Sequence, residues 1–185
     1  NPGRSSHKMS LYAAEKIYEC RTLLSEFINS KSPENVVFTL NCTEALNFAI
    51  KGIMNRYGGH IVISDFEHNS VVRPVFSLSK KGVNYSVAHI YPDDNMTVNS
   101  FNNAIRPDTR LIVCTAASNV TGQIPPIEKI AELCKRRNIC FIVDAAQAAG
   151  VIPLKIGNGI NFICSPGHKG LYGPSGTGLL ISDGK

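Results

Sequence analysis

Asn161-Phe-Ile-Cys-Ser-Pro-Gly-His-Lys-Gly-Leu-Tyr-Gly-Pro-Ser-Gly-Thr-Gly178 joins an apolar, strand-like run to a Gly/Pro-rich turn that presents one lysine, Lys169. Gly167, His168 and Gly170 leave that lysine with little bulk around it. The backbone can therefore bring something large against its amine, a close approach that glycine permits at an entropic cost. The plain alternative for a lysine in such a turn is a solvated surface position.

Upstream residues favour the first reading. Ile139-Cys-Phe-Ile-Val143 has the continuous apolar character of a buried strand and ends on Asp144, followed by Ala145-Ala146-Gln147. Open parallel α/β sheets bind ligands beyond the carboxyl ends of their strands, so Asp144 and Lys169, at the ends of two strands, can face one crevice. A carboxylate beside an aldehyde-trapping lysine points to pyridoxal 5'-phosphate. That cofactor needs a Schiff-base lysine and an acidic partner that keeps its ring nitrogen protonated.

The same alternation extends outward. Asn35 to Thr39, His60 to Ser64, Asn84 to Ile90 and Arg110 to Thr115 read as strands, and helical patterns lie between them. A helix from Ser10 is expected to put Ala13, Ile17, Cys20, Leu24, Phe27 and Ile28 on one face and to pack across the sheet. Leu46, Ala49, Ile50 and Ile53 mark a second helix, a short one runs from Asn99 to Ile105 before Pro107, and Pro125-Pro126 open another. Thr177 to Ser182 follows the strand that starts at Ile160 too closely for a helical crossover of about a dozen residues, so it is predicted to run antiparallel or to lie outside the pattern.

Polar clusters recur where these strands end. Leu40-Asn41-Cys42-Thr43 leads into a helix whose unpaired N–H groups and Thr43 hydroxyl suit a phosphate; ordinary capping by Asn41 or Thr43 fits the same residues. His68 can act as an acid or base, stack on a cofactor or be simply solvated. Asn119 can bond a ligand or hold its turn. No glycine fingerprint of the dinucleotide or Walker type accompanies any of these.

The 185 residues fit one domain, 43% apolar and 18% charged. A scattered net charge of +5 gives little basis for nucleic-acid binding. No apolar run is long enough for a membrane span. The six cysteines show no C-x-x-C spacing and sit mostly in apolar runs, as buried free thiols in a reducing, cytoplasmic compartment do, and Glu67-His68 lacks the second histidine of a metal site. The start at Asn1 and the stop at Lys185 after an apolar run read as cuts from something longer.

Taken together, Thr43-Glu44-Ala45, Glu67-His68-Asn69-Ser70, Ala117-Ser-Asn119-Val-Thr-Gly122, Val143-Asp144-Ala-Ala-Gln147 and Gly167-His-Lys169 with Gly173-Pro-x-Gly-x-Gly178 resemble, in order and spacing, class V aminotransferase-type pyridoxal phosphate enzymes. The cysteine desulfurase and selenocysteine lyase branch is the most similar, and the opening Asn1-Pro-Gly-Arg-x-Ser-His7 resembles its N-terminal loop. The resemblance implies a three-layer α/β/α domain, a mostly parallel sheet with one antiparallel strand, spanning residues 1–185 as the fold-type I large domain of a homodimer, the small domain lying beyond Lys185. It implies that Lys169 holds pyridoxal phosphate as a Schiff base, Asp144 pairs with the ring nitrogen, His68 stacks on the ring, and Gln147 and Asn119 bond its phenolic oxygen. Thr43, His168 and the Cys42 helix start match phosphate contacts. The activity implied is removal of sulfur or selenium from cysteine or selenocysteine, an amino-acid substrate, with transfer to an acceptor protein. Transamination, epimerisation or another lyase step uses the same cofactor, and a non-catalytic Rossmann-type nucleotide-binding module is the alternative from another class. The sequence departs from the branch at Pro166, where Ser or Thr is common, and at Cys42 and Ala145. The branch's sulfur-accepting cysteine and substrate-binding arginine are expected after Lys185.

Overall fold

Short aliphatic runs separated by polar turns give the chain its alternation of strands and helices. The computed structural model describes residues 6–184, so most of the opening loop, residues 1–5, lies outside the described residues. In chain order the elements are α1 (Lys8–Phe27), β1 (Val36–Thr39), α2 (Cys42–Tyr57), β2 (His60–Ser64), α3 (Asn69–Ser79), β3 (Asn84–Ala88), α4 (Asp94–Ala104), β4 (Thr109–Thr115), α5 (Ile127–Arg137), β5 (Cys140–Asp144), β6 (Phe162–Pro166) and β7 (Gly178–Ser182).

The strands pair in the order β1-β7-β6-β5-β4-β2-β3. β7 runs antiparallel to both β1 and β6, and every other pairing is parallel. The expected sheet with one antiparallel strand is therefore present. Alternate residues of the central strands feed two cores, because successive side chains leave a strand on opposite faces. Ile61, Ile63, Leu111, Val113 and Ile142 join Leu46 and Ile50 of α2 and Val71 and Val75 of α3. On the other face Val62, Ile112, Phe141, Val143 and Ile163 meet Phe101 of α4 and Ile130 and Cys134 of α5. Four of the cysteines are buried in these layers and all six are free; Cys20, on α1, is exposed.

Three details depart from the sequence reading. α4 starts at Asp94 because the Asp93 carboxylate accepts from Met96 N–H at 2.8 Å and caps it. β6 begins only at Phe162, since Gly157 and Ile160 close a turn just before it. The expected inward face of α1 is not buried: within the helix only Ser10 and Ser25 are, Ile28 is buried just beyond it, and Ile17, Cys20 and Phe27 are exposed. The helix does not cross the sheet. It lies along the Pro33–Asn35 turn and β1, an edge strand that offers too little surface to cover a helical face.

One contact fixes the start of α2 against the sheet. A Cβ on Gly178, the first residue of β7, would overlap the backbone carbonyl of Asn41, the α2 N-cap. Gly178→Ala forces those two backbones apart. We expect it to cost about 1–3 kcal/mol, as overpacking does, read as a lower urea midpoint; an unchanged midpoint would show that this contact yields freely.

Candidate functional site

Four chain segments meet at the carboxyl end of the parallel strands. α2 begins there because the Asn41 carboxamide accepts from Glu44 N–H at 2.8 Å and its backbone carbonyl from Ala45 N–H at 3.2 Å. The cap is Asn41 rather than Thr43. Cys42 and Thr43, in the first turn before those bonds, border the pocket, and Thr43 is exposed.

Asp144 is the last residue of β5 and is 1% exposed. Its Oδ1 accepts from Ala146 N–H at 2.9 Å and from the Cys42 thiol at 3.6 Å. Oδ2 makes no hydrogen bond among the described residues. Burial raises the Asp144 pKa above the ordinary aspartate value, while Ala146 N–H, the Cys42 thiol, His68 and Lys169 oppose the rise. Burial, then the Asp144 charge, pushes the Cys42 thiol up, so it remains a protonated donor.

Lys169 follows β6, the strand next to β5. The glycines beside it have a purpose other than admitting a ligand. A Cβ on Gly170 would strike the Ala149 carbonyl, and one on Gly150, which has φ +82°, would strike the Gly170 carbonyl. A Cβ on Gly167 would overlap the Thr177 side chain. These residues seat the lysine turn against the turn after Asp144 and against the entry to β7. Lys169 itself is exposed on the pocket side.

The other predicted residues come from two further strand ends. His68 caps α3: its Nδ1 accepts from Ser70 N–H at 3.1 Å, which places the proton of the neutral ring on Nε2. After β4, the Ser118 hydroxyl accepts from Val120 and Thr121 N–H at 3.2 Å each and holds the turn. Asn119 is thereby relieved of that task, and its carboxamide makes no hydrogen bond among the described residues. Cys42, Thr43, His68, Asn119, Asp144, Gln147, His168 and Lys169 all border one pocket of about 220 Å³. Thr115, the last residue of β4, borders it too and was missed; it stands at the same strand-end position as Asp144, its register partner, which is the signal that could have found it. Ser165 does not replace the side chain lost at Pro166, being buried with its hydroxyl donating to the Pro166 carbonyl at 3.1 Å. A larger cleft of about 440 Å³ opens at the opposite strand ends near Asn138, Asn158 and Asp183, and none of the predicted site residues reaches it. Among the described residues no three His, Cys, Asp or Glu side chains form a metal cluster, and no helix is long and apolar enough to cross a membrane.

The sequence profile described as Aminotransferase class-V matches residues 1–184. The chain belongs to the class-V aminotransferase family. It is 37% identical over 186 residues to the cysteine desulfurase IscS of Shewanella pealeana, a match covering 97% of this chain and 45% of that protein. A probable cysteine desulfurase of Methanothermobacter thermautotrophicus is 33% identical over 181 residues, with the same coverage of 97% and 45%. Among solved structures, the apo cysteine desulfurase from Thermococcus onnurineus NA1 superposes with a TM-score of 0.89 at 30% identity, over 100% of this chain and 46% of that one. SspA in complex with cysteine gives a TM-score of 0.88 at 28% identity over 98% and 53%. The chain spans about half the length of the curated relatives it matches.

The buried aspartate of this class-V chain has a consequence for stability. A carboxyl whose folded pKa lies above its unfolded value contributes most below the unfolded value, and that contribution is lost as pH rises through the folded one. The stability of the cofactor-free chain should therefore fall as pH rises from about 3.8. Asp144→Asn cannot ionise, so its urea midpoint should gain on wild type as pH rises above about 3.8. A constant difference across that range would mean that Asp144 titrates normally.

Proposed function

We propose that this chain is the cofactor-binding large-domain portion of a pyridoxal phosphate-dependent cysteine desulfurase, which takes sulfur (or selenium) from L-cysteine (or selenocysteine). The observation that carries the reading is the meeting of Asp144 and Lys169, from adjacent strand ends, in one pocket with a helix start. The desulfurase names of the relatives at 37% and 33% identity support it.

The donor set fits the cofactor. A buried carboxylate with an unbonded oxygen suits a protonated ring nitrogen, a helix start suits a phosphate, and a lysine suits an aldehyde. When bound, pyridoxal phosphate supplies that aldehyde and a protonated ring that accepts electron density. Lys169 Nζ would hold the cofactor's aldehyde and would serve as the base for the substrate α-proton. Asp144 would hold the ring-nitrogen proton, with the Cys42 thiol and Ala146 N–H orienting its carboxylate through Oδ1. His68 would pack against the ring, and Asn119 and Gln147 would serve the phenolic oxygen. Thr43, His168 and the start of α2 at Cys42 would hold the phosphate.

The whole enzyme on this reading is a cytoplasmic homodimer that hands sulfur to an acceptor protein. Its acceptor cysteine and its carboxylate-binding arginine come from sequence outside these residues. The exposed apolar side chains of α1, among them Met9, Tyr12 and Leu23, give a second copy a surface to cover.

The test is borohydride reduction of the cofactor-loaded, full-length protein, followed by peptide mass analysis and an assay of sulfide and alanine from L-cysteine. Lys169 should carry the reduced cofactor. Lys169→Ala should lose the trapped adduct and slow sulfur release by roughly 10²–10⁴-fold, the range for a lost acid–base group. Trapping without sulfur release but with an oxo-acid product would move the reading to transamination. No trapping at any lysine would favour a nucleotide-binding module.

A further inference from the structure

Glu67, next to His68 in sequence, has no part in the chemistry above, yet its carboxyl is sealed in the protein. The β2–β4 ladder pairs His60 with Thr109 and runs as far as Ile63 and Val113, where it stops. β4 goes on pairing with β5 as far as Thr115 and Asp144. Successive N–H groups of a strand point to opposite neighbours. Ala116 N–H donates to the Asp144 carbonyl at 2.8 Å on the β5 side, so Thr115 N–H faces the β2 side, beyond the end of that ladder. Glu67 Oε1 accepts this N–H at 2.7 Å and accepts the Ser64 hydroxyl as well.

We propose that Glu67 is a positioning residue whose carboxyl stands in for the missing strand partner and fixes the His68 loop to the end of β4, setting the separation of two walls of the pocket. Thr115, His68 and Asn119 all border that pocket, and the Thr115 hydroxyl donates to the Ala117 carbonyl at 2.9 Å, carrying the restraint toward Asn119. The role of this separation in cofactor binding rests on the reading under Proposed function.

Ionising the clasp's carboxyl would put a second buried anion near Asp144, and that cost is what opens it. Glu67 Oε2 is buried with no partner among the described residues. The titratable groups around the carboxyl are Asp144 on β5, Cys114 on β4, and Asp65 and His68 on its own loop. Burial, then the Asp144 charge, raises the Glu67 pKa to about 8, so near neutral pH the proton resides on Glu67 and Oε1 keeps both accepted bonds. A glutamine reproduces that state and an alanine does not.

Two measurements on the full chain decide the matter. In amide hydrogen exchange of the cofactor-free protein, Thr115 N–H should lose about tenfold or more of its protection in Glu67→Ala, as for a lost hydrogen bond, and keep it in Glu67→Gln. In absorbance titration with pyridoxal phosphate, Glu67→Gln should bind within about twofold of wild type near neutral pH and Glu67→Ala about tenfold more weakly. Wild-type affinity should carry an alkaline decline near pH 8 that Glu67→Gln lacks. Unchanged Thr115 protection in Glu67→Ala, or a Gln variant that retains the alkaline decline, would overturn the clasp. If Glu67→Ala does not fold, the comparison of Glu67→Gln with wild type decides alone. Lost Thr115 protection in Glu67→Ala, together with a wild type that takes up no pyridoxal phosphate, would retire the proposed function and leave the clasp standing.

Discussion

The Asp144 carboxyl, 1% exposed at the end of β5, is the constraint around which the carboxyl end of this sheet is arranged. Taking an ion out of water costs several kcal/mol unless donors and opposite charges replace the lost hydration. Only part of that replacement comes from its surroundings. Oδ1 has Ala146 N–H and the Cys42 thiol, His68 and Lys169 act at longer range, and Oδ2 has no partner among the described residues. A carboxyl compensated only in part gains from any donor or cation that reaches Oδ2.

Bringing the segments that share this pocket so close requires backbone to touch backbone. Gly178 lets the entry to β7 lie against Asn41 at the start of α2, and Gly150 and Gly170 let the turns after β5 and β6 interlock. A side chain at any of the three would separate a helix start or a lysine turn from Asp144. The conformational entropy lost at these glycines is offset by the placement of polar groups that come from segments far apart in sequence.

Most of the fold was legible because the central strands are aliphatic on both faces and α5 has a clear 3.6-residue period, as Ile127, Ile130, Ala131 and Cys134 show by being buried. The pocket was legible through one rule, polar residues at carboxyl ends of strands, which placed Asp144, His68 and Asn119 on one lining. Failures came where the deciding contact is remote in sequence. An amphipathic pattern says that α1 has an apolar face but not what covers it. The glycines around Lys169 looked like room for a ligand, but the space is taken by Ala149, Val151 and Thr177. Thr115 read only as the end of a strand and Ser118 carried no reading of its own; their roles depend on β5 and on the hydrogen bonds that free Asn119.

Two buried carboxyls also show how burial acts unequally on neighbouring acids. Both are desolvated, and the Asp144 charge adds to the rise at Glu67. Asp144 has a thiol, an N–H, an imidazole and an amine opposing the rise in its pKa. At Glu67 the Ser64 hydroxyl and the Thr115 and Ser64 backbones oppose the rise, and Asp144 adds to it. Glu67, neutral near neutral pH, can therefore hold the end of β4 without placing a second anion beside Asp144. Its place follows from where β2 stops and β5 does not, since the early end of the β2–β4 ladder opens the gap that Glu67 fills.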